Sequence, residues 1–86
     1  MIVKINKVYV FKNNTGEIVT TELGYFAAEE MEAILPIVWD LVAVMDTDGL
    51  ARFTYRNITK KFHIGNAKLN AILDFLTEEG FLKRFT

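Results

Sequence analysis

The chain of 86 residues contains no cysteine and no serine, and only one proline and one histidine. Without cysteine there is no disulfide, no thiolate zinc site and no cysteine nucleophile, so stability must come from packing. The single histidine, His63, excludes any metal site built on two or more imidazoles. With serine absent as well, and no phosphate-cradling glycine loop or histidine–carboxylate cluster, no catalytic assignment survives and no cofactor is implied. No stretch approaches the roughly 18 uninterrupted apolar residues of a membrane span. The most apolar one, residues 34–45, is short and carries Asp40. The opening Met1-Ile2-Val3-Lys4 has neither the apolar region nor the cleavage site of a signal peptide, so a cytoplasmic protein is expected.

What is present is apolar and unevenly charged. Hydrophobic residues make up 51% of the chain and aromatic residues 13%, rich for a length that fits one small domain burying about 60–65% of its unfolded surface. The net charge of −1 hides a segregation. Residues 1–12 hold Lys4, Lys7 and Lys12 and no acid, and residues 13–51 hold eight acids and no Lys or Arg. Residues 49–73 invert the pattern, with Arg52, Arg56, Lys60, Lys61 and Lys68 and no acid. Two readings of this stand. One is a local anion-binding footprint inside a nearly neutral protein, the other a solvated face countered by the acidic segment.

Residues 2–12 and 17–23 read as a β-hairpin extension within residues 1–24. Its strands are β-branched or aromatic, and Asn13-Asn14-Thr15-Gly16 between them is strong turn chemistry. In the first strand Val3, Ile5, Tyr9 and Phe11 form one apolar face. Residues 27–45 read as helical, with acids in the first turns and Ile34, Val38, Leu41 and Met45 as the buried stripe. Pro36 either kinks one long helix or lies in the first turn of a second. Residues 50–53 are extended. Thr54 is the expected N-cap of a helix over 55–62, with Ile58 and Phe62 inward. His63-Ile64-Gly65 makes a tight turn, Asn66 is the expected cap of a helix over 67–79, and Gly80 fits its left-handed stop before a final strand.

A short helix, a three-residue turn containing glycine and a second amphipathic helix together form a helix-turn-helix. A strand before it and another after its glycine stop give the order of a winged helix. Residues 53–85, from Phe53-Thr54-Tyr55-Arg56 through Phe62-His63-Ile64-Gly65 to Leu76-Thr77-Glu78-Glu79-Gly80, resemble the core of winged helix-turn-helix DNA-binding domains. The turn and the Leu-x-Glu-Glu-Gly ending look like the gamma domain of DNA translocases, and small archaeal and archaeal-virus regulators are similar. The resemblance implies an α+β fold with a winged-helix core over residues 27–86; the N-terminal β-hairpin, which it does not cover, is an addition within one domain over residues 1–86. The sequence ends at Thr86 without the usual returning wing strand, so a truncated wing is expected, with the hairpin and its lysines as a candidate replacement.

On this reading the helix 67–79 turns Leu69, Ile72, Leu73 and Leu76 inward and presents Ala67, Lys68, Asn70 and Ala71 to a major groove. Small Ala67 and Ala71 permit close approach, Asn70 has the amide for two hydrogen bonds to adenine, and Lys68 reaches guanine or phosphate. Asp74 restricts entry to the N-terminal half. Arg52, Thr54, Tyr55, Arg56, Lys60 and Lys61 are placed for the phosphate backbone, with Asn66 and His63 in and beside the turn. The expected function is sequence-specific binding of double-stranded DNA by a small transcriptional regulator. The surplus of aromatics, Tyr9, Phe11, Trp39 and Phe75 among them, implies a homodimer contact through the hairpin and first helix; the alternative is a hairpin folded over its own helices. The rival functions are a winged-helix protein-interaction module and a non-specific architectural or replication-associated DNA binder. No membrane partner and no small-molecule substrate is implied.

Overall fold

A computed structural model of the protein describes residues 1–21 and 34–85. In chain order these form β1 (Ile2–Ile5), β2 (Val10–Lys12), β3 (Ile18–Thr20), α1 (Leu35–Val44), β4 (Leu50–Arg52), α2 (Tyr55–Phe62), α3 (Asn66–Glu78) and β5 (Leu82–Arg84). Among the described residues the architecture is a small α+β fold in which three helices accompany two antiparallel sheets. One sheet has the order β4-β1-β5, and the other is the β2-β3 ribbon.

The expected hairpin is divided between the two sheets. Only its distal part pairs as a ribbon, with Val10 opposite Thr20 and Lys12 opposite Ile18. The proximal part, β1, is the central strand of the other sheet, with Val3 opposite both Ala51 and Arg84. The break comes from Asn6, whose carbonyl accepts from the Tyr9 amide at 3.0 Å while its side-chain Oδ1 accepts from the Val8 amide. This asparagine turn is strong local chemistry, and it shifts the alternation by one residue. Val3 and Ile5 are buried, but beyond the turn Val10 is the buried residue and Phe11 is exposed. The continuous apolar face expected from Val3 to Phe11 therefore does not form. Residues 22–23 of the expected second strand lie outside the described residues.

The first helix settles the place of Pro36. It lies within the first turn of α1, where its missing amide hydrogen leaves no helix bond unmade. Residues 27–33 of the expected helix lie outside the described residues. Ile34, Val38, Leu41 and Met45 are all buried, joined by Ile37 and Val42. Val3, Ile5 and Ala51 of the sheet complete the core with Ile58, with Leu69, Ile72, Leu73 and Leu76 of α3, and with Phe81 and Leu82. The helices thus cover one face of the β4-β1-β5 sheet.

Two chain reversals close this core. After α3, the Phe81 amide donates to the Leu76 carbonyl at 2.9 Å and the Gly80 amide to Thr77 at 3.1 Å, with Gly80 at φ +76°. That is a Schellman stop, and it delivers buried Phe81 against buried Leu76. Before β4, Asp46 Oδ1 accepts from the Asp48 and Leu50 amides, and Gly49 takes φ +86°. A Cβ on Gly49 would lie 2.7 Å from the Ile5 carbonyl oxygen, whereas one on Gly16, at φ +83°, meets nothing within 4 Å. Both substitutions suffer the left-handed backbone, at about 1–2 kcal/mol. Only Gly49 adds a clash with a backbone atom of the central strand. Denaturant unfolding is therefore expected to show Gly16→Ala losing about 1 kcal/mol and Gly49→Ala at least about 2 kcal/mol more.

Candidate nucleic-acid interface

The two helices of the motif are set by their ends. Thr54 is extended and its Oγ1 accepts from the Asn57 amide at 3.2 Å, the N-cap expected for α2. The helix ends at His63, which sits in the left-handed region at φ 53° while the Ile64 amide reaches back to the Thr59 carbonyl. A non-glycine residue there is uncommon, so His63 is accounted for by the turn it makes. The next helix begins one residue earlier than expected. Gly65 occupies the N-cap position, with no side-chain cap, and Asn66 is the first helical residue. Asn66 is therefore corrected from cap to exposed first-turn residue, with its side chain free of the capping bond.

The periodicity of α3 separates two faces as expected. Leu69, Ile72, Leu73 and Leu76 are buried, while Asn66, Ala67, Lys68, Asn70, Ala71 and Asp74 are exposed. Phe75 is half-buried and packs against the core. Asn70 does not stand alone on this surface. The Tyr55 hydroxyl donates to its Oδ1 at 2.5 Å, and the Tyr55 ring stacks on Phe53 with centroids 6.3 Å apart. One lone pair of Oδ1 is used and the Nδ2 hydrogens have no partner among the described residues, so the amide keeps an outward donor and an acceptor site. The Tyr55 hydroxyl, expected at the phosphate backbone, is engaged with Asn70 and holds that side chain.

The cations divide into two groups. Lys61 forms an ion pair with Asp40 of α1 and lies over the Phe62 ring, which makes it a tie between helices. Arg84 reaches from β5 to α3, bonding Asp74 Oδ1 at 2.8 Å and the Asn70 carbonyl at 3.1 Å. The carboxylate expected to repel phosphates is thus countered within the fold. Arg52, Arg56, Lys60 and Lys68 are exposed and have no ion-pair partner among the described residues. Lys60 and Lys61 also occupy the last turn of α2, where the helix dipole favours positive charge. Lys12 donates to the Ala43 carbonyl at 2.9 Å, so its ammonium tethers the ribbon to α1.

Among the described residues no group of three or more His, Asp or Glu side chains is arranged to hold a metal ion, and no helix is long and apolar enough to cross a membrane. Compared with known proteins, the chain matches no family model, no curated protein and no solved structure.

Two positioning links escaped the sequence reading, Tyr55–Asn70 and Arg84–Asp74. Each joins residues ten or more positions apart, with no local signal except complementary chemistry. Tyr55→Phe removes only the hydroxyl. It is expected to cost about 0.5–1.5 kcal/mol in denaturant unfolding and to shift and sharpen the Asn70 side-chain amide resonances as the group gains rotational freedom.

Proposed function

We propose that the protein binds double-stranded DNA through the exposed N-terminal half of α3, with α2 on the phosphate backbone, as a small transcriptional regulator. The observation that carries this reading is the outward row Asn66, Ala67, Lys68, Asn70 and Ala71, flanked by Arg56 and Lys60, which have no ion-pair partner among the described residues, and with Asp74 of the same helix held by Arg84. Small side chains admit the helix to a groove, and the oriented Asn70 amide matches the donor and acceptor pattern of adenine. Arg56 and Lys60, at i and i+4, lie on one side of α2 for phosphate contacts.

The winged-helix reading of the fold draws its support from element order. A strand (β4) precedes α2 and another (β5) follows α3, and between them lies β1, antiparallel to both. In this reading β1 fills, from the other end of the chain, the slot of a returning wing strand. Homodimerisation belongs to the same proposal, because helix-turn-helix proteins commonly pair to read two half-sites. Tyr9, Trp39 and Phe75 pack against the core, which reduces the aromatic surplus. Phe11 and Ile18 of the ribbon and Val44 at the end of α1 remain exposed and supply the apolar contact.

Titration of salt in a duplex-binding assay tests the function. The log–log slope is expected to fall by about one for Arg56→Ala and for Lys60→Ala, and to stay nearly unchanged for Lys61→Ala, whose ammonium is engaged by Asp40. Absence of duplex binding at low salt overturns the proposal and leaves a protein-interaction module. Asn70→Ala is expected to reduce discrimination between a preferred and a random duplex by about 1–3 kcal/mol; an unchanged ratio indicates a backbone binder. Sedimentation is expected to show a dimer that Val44→Asp dissociates, and a monomer at tens of micromolar removes the dimer from the account.

A further inference from the structure

The outer face of the β4-β1-β5 sheet carries a second concentration of positive charge, apart from the α2 and α3 residues proposed to contact the duplex. Lys4 of β1 and Lys83 of β5 are direct partners across the strands and both are exposed. Like charges in that position repel, and neither has an ion-pair partner among the described residues. They overlook a concavity of about 750 Å³, which Lys7 and Asp48 also line, with Asn6 and Gly80 in its wall. The size lies within the range of small-molecule sites.

Hydrogen bonds fix the turns that form its wall. Asn6 is fixed on three sides: its amide nitrogen donates to the Phe81 carbonyl at 2.8 Å, its Nδ2 to the Gly80 carbonyl at 3.2 Å, and its Oδ1 accepts from Val8. The aliphatic stem of Lys7 runs past Gly49, whose missing Cβ would lie 3.6 Å from its Cγ and 3.7 Å from its Cε. The Lys83 ammonium lies 5.7 Å from the centre of the Phe85 ring. Among the side chains that line it, three ammonium groups stand against one carboxylate, Asp48, a positive balance suited to a phosphate; Glu78 and Glu79, between Thr77 and Gly80, are exposed but do not line it.

We propose that this concavity binds a small organic phosphate, its phosphate held between Lys4 and Lys83 with Lys7 at the rim. The site lies at the C-terminal end of α3, roughly 20 Å along the helix from Asn66, and does not depend on duplex binding. A compact ligand suits the site better than a nucleic-acid backbone, because the few cations of the lining match one phosphate and Asp48 opposes a longer polyanion.

Amide NMR of the full chain, titrated with adenosine monophosphate, inorganic phosphate and adenosine, tests the site. Both phosphates are expected to shift the amides of residues 4–8 and 80–83 saturably, with the nucleotide the tighter of the two, and adenosine is expected to leave them in place. The double substitution Lys4→Ala with Lys83→Ala is expected to weaken nucleotide binding by at least about tenfold. Lys83→Glu, which replaces the like-charge pair by an opposite one, is expected to fold normally and to lose binding. Shifts confined to residues 54–71, no saturable shift, or undiminished binding by Lys83→Glu overturns the proposal. So does a duplex that moves the same amides and competes with the nucleotide, since the concavity would then belong to the nucleic-acid surface.

Discussion

The rest of the structure depends on the pairing of β1 on both of its edges. Ile2–Ile5 bonds to β4 on one side and to β5 on the other, which brings the start of the chain, the strand before the motif and the strand after it into one sheet. Val3 and Ile5 then face the helices at zero exposure, and Ile5 packs its backbone so closely on Gly49 that no side chain fits there. The Met1 ammonium donates to the Phe53 carbonyl at 2.7 Å, directly before the cap of α2. The motif is therefore anchored at its first residue, and β5, together with Arg84, braces α3 from its far end. With no cysteine, and hence no disulfide, to staple a domain of this size, such long-range pairing helps to offset chain entropy.

That framework also decides which charges stay free. A net charge near zero looks unpromising for an anionic partner, but Asp40 takes up Lys61 and Arg84 takes up Asp74, and what remains on α2 and the N-terminal half of α3 is positive. The same accounting on the opposite side of the sheet leaves Lys4 and Lys83 side by side. Neither surface pair among the described residues contributes much stability, since exposed ion pairs supply about 0–1 kcal/mol. Their effect is to set local potential and to hold side chains in place.

What the sequence made legible was local. Thr54 at a cap, Ile58 in the following helix, Leu69, Ile72, Leu73 and Leu76 at helical spacing, and Gly80 at a stop each act through neighbours within a turn or two, so α2 and α3 lie within a residue of expectation. The fate of the N-terminal strand was not, because alternation says which residues share a face but not which strand they will pair with. Asn6 was the one readable signal for the break, a turn-forming residue inside a run of strand formers. The candidate interface divides the same way. Exposure of Ala67, Lys68, Asn70 and Ala71 followed from periodicity, whereas the loss of Lys61 to Asp40 and the orientation of Asn70 by Tyr55 needed the tertiary fold.

The central claim is that the outward half of α3 reads DNA sequence, and it is tested most directly by selecting bound duplexes from a random pool with the full chain. The account predicts enrichment of a short motif that includes adenine, present as two half-sites about 10 base pairs apart, one for each protomer of a dimer, and lost with Asn70→Ala. A recovered pool with the composition of the input, or a motif that survives Asn70→Ala unchanged, would contradict it.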